Sequence, residues 1–289
     1  MIYAIASGKG GTGKTTVTAS LAEIWDHPLT VVDLDVEEPN LHLFLNPVIT
    51  GESKGLLEVP ELDPALCTLC GECAAFCQYK ALSVIGKKLL VFPEMCHGCG
   101  GCLALCPEGA LRPGGRELGT ILEGRAGNAR FLMGRLRVGE AMSPPLMRQV
   151  KQRLMSEGDA GDVLIDAPPG VSCPAVNAVM DADCIVLVTE PTPFGLHDFK
   201  LAVEAFTPLG KQLGAVINRA GIGDGQVKRY CLDHGLPVWA EIPYSRAAAQ
   251  AYSQGKVISR EIPELRKIFI ELAEKLFAAI SGLRKAGHA

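Results

Sequence analysis

The chain opens on an apolar run, Ile2-Tyr3-Ala4-Ile5-Ala6, that breaks into Ser7-Gly8. Residues 14–25 then read as a helix, and Leu29 to Leu34 (LTVVDL) as a second buried strand. Similar apolar runs recur at 162–166 (DVLID), 184–189 (CIVLVT), 213–218 (LGAVIN) and 237–242 (LPVWAEI). Helical stretches lie between them, as at 145–156 and 196–209. Such alternation predicts an α/β fold: a mostly parallel sheet with helices on both faces. Residues 61–113 interrupt the rhythm with paired cysteines, glycines and a hairpin-like stretch, ALSVIGKKLLVF. This predicts a small α+β domain at 61–113, inserted into a larger domain made of 1–60 and 114–289. Residues 112–145 read as linker, with six arginines (Arg112, Arg116, Arg125, Arg130, Arg135, Arg137). Near the end, Leu265, Ile268, Phe269, Leu272, Leu276, Ile280 and Leu283 recur at helical spacing. The polar side of that helix mixes Glu264, Glu271 and Glu274 with Arg266, Lys267 and Lys275. A membrane-surface helix has a more basic face, so packing against the sheet is expected.

Composition changes this picture at one point. Charged residues are 21% and hydrophobic ones 48%, ordinary for a globular chain. A net charge of −4 gives no reason to expect a nucleic-acid partner. The N-terminus has no charged n-region or cleavage site, and no apolar stretch reaches spanning length, so a cytoplasmic location is expected. The cysteines stand out. There are eleven, and eight fall between Cys67 and Cys106. In a long chain without a secretion signal, that density favours metal or cluster binding over disulfides.

Gly8-Lys9-Gly10-Gly11-Thr12-Gly13-Lys14-Thr15, followed by Thr16, fits the phosphate-loop pattern. It follows a strand and opens a helix, as that loop requires. Its glycines let backbone N–H groups approach phosphates, and the helix N-terminus adds positive potential. Lys14 is expected on the β- and γ-phosphates of ATP and the Thr15 hydroxyl on Mg²⁺. The activity expected is Mg²⁺-dependent ATP hydrolysis.

The KGGTGKT form resembles the deviant Walker A motif of the MinD/ParA/Mrp superfamily, which includes the nitrogenase iron protein. The resemblance implies that Lys9 reaches across an ATP-dependent homodimer, or a heterodimer with a related ATPase, to the partner's phosphates. Val31-Val32-Asp33-Leu34-Asp35 resembles the family's acidic second strand. It implies Asp35 as the residue that orients the attacking water and Asp33 as its neighbour near the metal. Asp166-Ala167-Pro168-Pro169-Gly170 resembles the Walker B and switch II segment, with Asp166 on Mg²⁺ and Gly170 sensing the γ-phosphate. Asn218 and Arg219 stand where the family recognises adenine, and Pro243 where it lines the other side of the base.

Cys67-x2-Cys70-x2-Cys73-x3-Cys77 is followed, nineteen residues after Cys77, by Cys96-x2-Cys99-x2-Cys102-x3-Cys106-Pro107. This is bacterial-type ferredoxin spacing, twice. In that pattern three close thiolates wrap one [4Fe–4S] cluster and the fourth reaches the other. The expected sets are Cys67, Cys70, Cys73 and Cys106 on one cluster, and Cys96, Cys99, Cys102 and Cys77 on the second. The first run ends in Cys77-Gln78 instead of Cys-Pro, which loses no ligand. Two such runs fit zinc poorly. His97 is expected beside the ligands, not among them. Cys184 and Cys231 read as structural. Cys173 has two readings: a buried thiol behind switch II, or an interfacial redox residue at an offset like that of a nitrogenase iron protein ligand.

Together these features resemble the MinD-superfamily ATPases with an inserted two-cluster ferredoxin domain, the type associated with the Orange Protein complex. That resemblance implies a redox partner, of the molybdenum–copper Orange Protein kind. Three functions remain open at this point: ATP-gated electron transfer, iron–sulfur assembly or carriage, and MinD-like positioning with a redox-sensing module.

Overall fold

A computed structural model describes residues 1–156 and 161–286, the side chains of 281–286 excepted. The chain begins β1 (Ile2–Ala6), α1 (Lys14–Ile24), β2 (Leu29–Asp33), α2 (His42–Leu45) and β3 (Val48–Leu62). The cysteine-rich stretch forms α3 (Glu72–Phe76), β4 (Leu82–Ile85), β5 (Lys88–Val91) and α4 (Gly101–Leu105). Next come β6 (Leu111–Ala126), β7 (Ala129–Leu136), α5 (Ser143–Met155), β8 (Asp162–Asp166), α6 (Cys173–Val179) and β9 (Cys184–Thr189). The rest is α7 (Pro193–Phe206), β10 (Gln212–Ala220), α8 (Gln226–Asp233), β11 (Val238–Pro243), α9 (Arg246–Ser253), α10 (Ile258–Glu261) and α11 (Pro263–Ala286).

The chain divides into two compact units. The first takes residues 1–53, 121–135 and 147–289; the second takes 54–120 and 136–146. Among the described residues, nine strands form one sheet in the order β11-β10-β9-β1-β8-β2-β7-β6-β3, while β4 and β5 pair separately.

In the first unit the central strands β1, β2, β8 and β9 pair in parallel. Their near-continuous apolar sequences suit burial on both faces. Tyr3, Ile5, Val31, Leu164 and Val186 point to one side and pack with Val17 and Leu21 of α1 and Leu265, Phe269, Leu272 and Leu276 of α11. The terminal helix is therefore core, as its apolar stripe predicted; the Leu283 side chain lies outside the described residues. On the opposite side α6 packs on β1 and α7 on β9. Register does functional work at one place: Asp33 of β2 lies directly across from Asp166 of β8.

The supposed linker at 112–145 is instead two long strands, β6 and β7, turned by Gly127 at φ 57. Leu118, Phe131, Leu132 and Met133 are buried, those of β7 on both of its faces. Several of the arginines that made the stretch look like linker are anchored by carboxylates: Arg112 by Asp63 at 3.1 Å, and Arg116 by Glu94 at 3.0 Å and by Glu140. A buried arginine needs such partners.

In the second unit a small core forms from Cys73, Leu82, Leu89, Cys102 and Leu111. The two cysteine runs are a structural repeat. Leu69, Gly71 and Lys80 adopt positive φ in the first run, and Gly98, Gly100 and Gly109 repeat it 29 residues later. Gly71 and Gly100 each open a short helix, α3 and α4. Gly98 has a second constraint, because a Cβ there would sit 2.6 Å from Leu57 Cδ1.

Candidate nucleotide site and paired thiol cavities

The loop from Ser7 to Gly13 joins β1 to α1. Gly13 takes φ 98, and a Cβ on it would sit 2.3 Å from Asn218 Nδ2. A Cβ on Gly8 would sit 2.0 Å from the Asp198 carbonyl oxygen, so both positions need glycine. Lys14 is only 7% exposed. Burial lowers its pKa, and the carboxylates of Asp166, Asp35 and Asp33 act in the opposite direction.

Those three carboxylates behave differently. Asp166 is 1% exposed; its Oδ2 accepts from the Thr15 hydroxyl at 2.7 Å, and its Oδ1 lies 3.1 Å from Thr18 Oγ1. Asp33 accepts from the backbone N–H groups of Asp35 and Leu41 through its two oxygens. Burial, and then the facing Asp166, push its pKa well above the usual carboxylate range. Burial also raises Asp166. Asp35 is raised to about 6, by burial first and Asp166 second. Among the described residues no three His, Cys, Asp or Glu side chains converge as a single-ion cage. A magnesium site does not need one, since Mg²⁺ usually binds one or two carboxylates plus substrate phosphates.

A cavity of about 620 Å³ opens beside this cluster. It is lined by Gly10, Gly11, Gly13, Lys14, Thr15, Thr16, Asp35, Asn218, Arg219 and Pro243. It gathers all of these from positions spread over the sequence. Its lining also includes residues that the sequence did not point to: Tyr244, Ala248 and Tyr252, from the β11–α9 corner. Only their place after Pro243 hinted at them. The Thr12 hydroxyl is buried without a partner among the described residues, a polar atom awaiting a polar ligand.

Three predicted residues are engaged elsewhere. Lys9 is turned onto its own chain: its Nζ lies 2.6 Å from Glu190, whose other oxygen holds Arg219 at 3.0 Å. Glu190 is nearly buried, and a buried carboxylate captures the nearest cations. Asn218 donates to the Thr12 carbonyl at 2.8 Å, which aims its amide at the phosphate loop. The Gly170 N–H donates to Ser7 at 2.9 Å, with Gly170 at φ 90.

In the second unit the two thiol sets separate. One cavity is lined by Cys67, Cys70, Cys73 and Cys106, with Leu69, Val84 and Leu89 as apolar wall. The other, about 250 Å³, is lined by Cys77, Cys96, Cys99 and Cys102. Its wall is more polar, with Glu58, Gln78, Tyr79 and His97; the Tyr79 and His97 rings stack at 3.6 Å. Backbone N–H groups already point at three sulfurs: Ala81 on Cys77 at 3.3 Å, Gly98 on Cys96 at 3.4 Å and Ala110 on Cys106 at 3.2 Å. Burial raises the free thiol of Cys73, and pushes Cys102 up to about 11. Cys184 and Cys231 are buried, but Cys173 is exposed at the start of α6, against the buried-thiol reading.

The profile of the CobQ/CobB/MinD/ParA nucleotide binding domain matches residues 3–258. An uncharacterised protein of Methanocaldococcus jannaschii is 34% identical over 251 residues, covering 84% of this chain and 86% of its own. The iron–sulfur cluster carrier protein of Aquifex aeolicus is 27% identical over 152 residues, covering 46% of this chain and 42% of its own. Among solved structures, the septum site-determining protein MinD complexed with Mg-ADP from Pyrococcus horikoshii superposes with a TM-score of 0.58. It is 23% identical and covers 95% of each chain, so the likeness is one of fold. No helix among the described residues is long and apolar enough to cross a membrane.

Proposed function

The chain belongs to the CobQ/CobB/MinD/ParA nucleotide-binding domain family, and from that premise we propose that it hydrolyses MgATP and passes electrons to a partner protein through two [4Fe–4S] clusters. The observation that carries the cluster half is the crossing of the cysteine runs. Each cavity takes three thiols from one run and its fourth from the other. Four soft thiols, with backbone N–H groups on the sulfurs, are a donor set that suits an iron–sulfur cluster. Cys67, Cys70, Cys73 and Cys106 would hold one, and Cys77, Cys96, Cys99 and Cys102 the other. Bound there, the clusters would supply one-electron redox chemistry.

The nucleotide half follows from the loop and its carboxylates. Lys14 neutralises the β- and γ-phosphates from a nearly buried position, where its charge is poorly screened. Thr15 and Asp166 take the magnesium ion. Asp35 faces the open cavity and orients water. Asp33 serves the site indirectly: its two oxygens hold the backbone at Asp35 and Leu41. Asn218, Arg219 and Pro243 border the base. Lys9 trades Glu190 for a partner subunit's phosphates when an ATP-dependent dimer forms.

Coupling between the halves rests on connectivity. The chain leaves the first unit after the Asp33–Asp35 segment and returns to it before Asp166. The thiol-bearing unit is therefore strung between two segments that respond to nucleotide, and ligand-ordered segments of this kind are the usual bistable elements. Anaerobically prepared protein should contain about eight iron atoms per chain, as two four-iron clusters require, and should hydrolyse ATP. Protein that folds and binds nucleotide but holds no iron would rule the proposal out. The similarity to an iron–sulfur cluster carrier favours a second reading, delivery of clusters to other proteins. Rapid transfer of iron and sulfide to an apo-ferredoxin would select it.

A further inference from the structure

The β4–β5 hairpin has two faces of different character. Its register pairs Leu82 with Val91 and Val84 with Leu89, so these four share one side. Val84 and Leu89 line the first thiol cavity and Leu82 the second. The other side carries Ser83, Ile85, Lys88 and Leu90. Ile85 is 58% exposed and Leu90 38%. Both edges of the hairpin are open, since β4 and β5 form a two-stranded sheet of their own among the described residues. Open edges beside exposed apolar side chains normally have a cover.

Charge indicates what the cover is. The other cations of this unit are paired within it: Lys54 with Glu117, Arg112 with Asp63, and Arg116 and Arg137 with Glu94 and Glu140. Lys80, Lys87 and Lys88 have no ion pair among the described residues. Lys87 and Lys88 form the tip of the hairpin and Lys80 stands just before it. Lys87 and Lys88 thus stand uncompensated at the turn end, beside Ile85, in a chain whose net charge is −4, while Lys80 lies at the hairpin's other end. A second copy would bring the same lysines to the face and be repelled. Glu108 also lines the first cavity, but from the turn after Cys106 and not from the hairpin.

We propose that the outward face of the β4–β5 hairpin docks an acidic one-electron carrier protein, which exchanges electrons with the cluster held by Cys67, Cys70, Cys73 and Cys106. This rests on the cluster reading given above. In the exchange the cluster loses one electron and the carrier's redox centre gains it; no bond breaks and no proton moves. One strand layer, through Val84 and Leu89, separates the docked carrier from the cavity. Complementary charge should raise the association rate and make it fall with salt.

The test uses the dithionite-reduced holoprotein and two one-electron acceptors, an acidic flavodoxin and basic cytochrome c. The variant is Lys87→Glu/Lys88→Glu, which touches no proposed ligand. Its reaction with flavodoxin should slow at least tenfold while that with cytochrome c quickens. Flavodoxin binding by calorimetry should weaken at least tenfold, with iron content unchanged. Equal rates and equal binding for the variant and the parent would overturn the proposal. So would loss of binding to anionic phosphatidylglycerol vesicles, or of self-association in sedimentation, with flavodoxin unaffected; those results assign the face to lipid or to a second copy. A preparation lacking iron–sulfur absorption sinks the cluster reading instead, and calorimetric binding of flavodoxin still decides the docking face.

Discussion

The nucleotide cavity and the thiol cavities are built on opposite plans. Around the nucleotide cavity, the groups proposed to meet a ligand are already bonded to one another. Thr15 holds Asp166, Lys9 holds Glu190, and Asn218 holds Thr12. A ligand that takes Thr15, Asp166 or Lys9 as proposed exchanges those bonds and so rearranges the site. Around the thiol cavities the sulfurs meet few partners beyond backbone N–H groups fixed by tight turns. The first plan suits a switch and the second suits a resident group.

Four substitutions or conditions can break or sharpen that contrast. The largest effect is expected from Lys14→Ala. Losing a nearly buried cation that makes several charge-assisted bonds should weaken ATP binding on the order of 100-fold or more. Iron content should stay unchanged, and an equal loss of iron would show that the two plans are not separable. Cys106→Ser comes next. Elemental analysis should find about half the iron, with nucleotide affinity within roughly twofold of the parent. Gly98→Ala is smaller. Its φ of +67 and the closeness of Leu57 predict about 1–2 kcal/mol of lost stability, read from the denaturation midpoint. A neutral result would mean that the repeat's turns are not held by glycine, as Leu69 at the matching position hints.

The mildest probe is pH. Asp35 titrates near 6 in the folded chain, above the ordinary carboxylate value of 3.8. The folded state therefore binds its proton more tightly than the unfolded state does. Ligand-free stability should fall as pH rises from about 4 to about 6 and level off above that. Asp35 orients water as a carboxylate, so the rate of ATP hydrolysis should rise several-fold over the same window. Asp35→Asn should flatten that rise; an unaltered profile would assign the titration to another group.

Much of this was legible in the sequence, and the exceptions have physical reasons. The central strands announced themselves because burial on both faces demands continuous apolar runs such as CIVLVT. The phosphate loop and the cysteine runs were legible because their chemistry fixes spacing. The strands β3, β6 and β7 were not. They carry arginines and glutamates whose partners lie far along the chain, as Arg112 finds Asp63 and Arg153 finds Glu123. Long-range pairing of that kind leaves no local signature. The cavity wall of Tyr244, Ala248 and Tyr252 was missed for a related reason: aromatic and apolar residues at and after a strand end read as packing until a cavity is seen beside them. The bond from Lys9 to Glu190 could not be read either, because it depends on a carboxylate 181 residues away.

The central claim is that the switch and the resident groups act on each other. The direct test is a potentiometric titration of both clusters, monitored by electron paramagnetic resonance, without nucleotide and with a magnesium–ATP analogue that cannot be hydrolysed. Coupling predicts that at least one potential moves by about 60 mV or more, a tenfold change in a one-electron equilibrium, and that Lys14→Ala removes the shift. Identical potentials in both states, with the analogue shown to be bound, would contradict it.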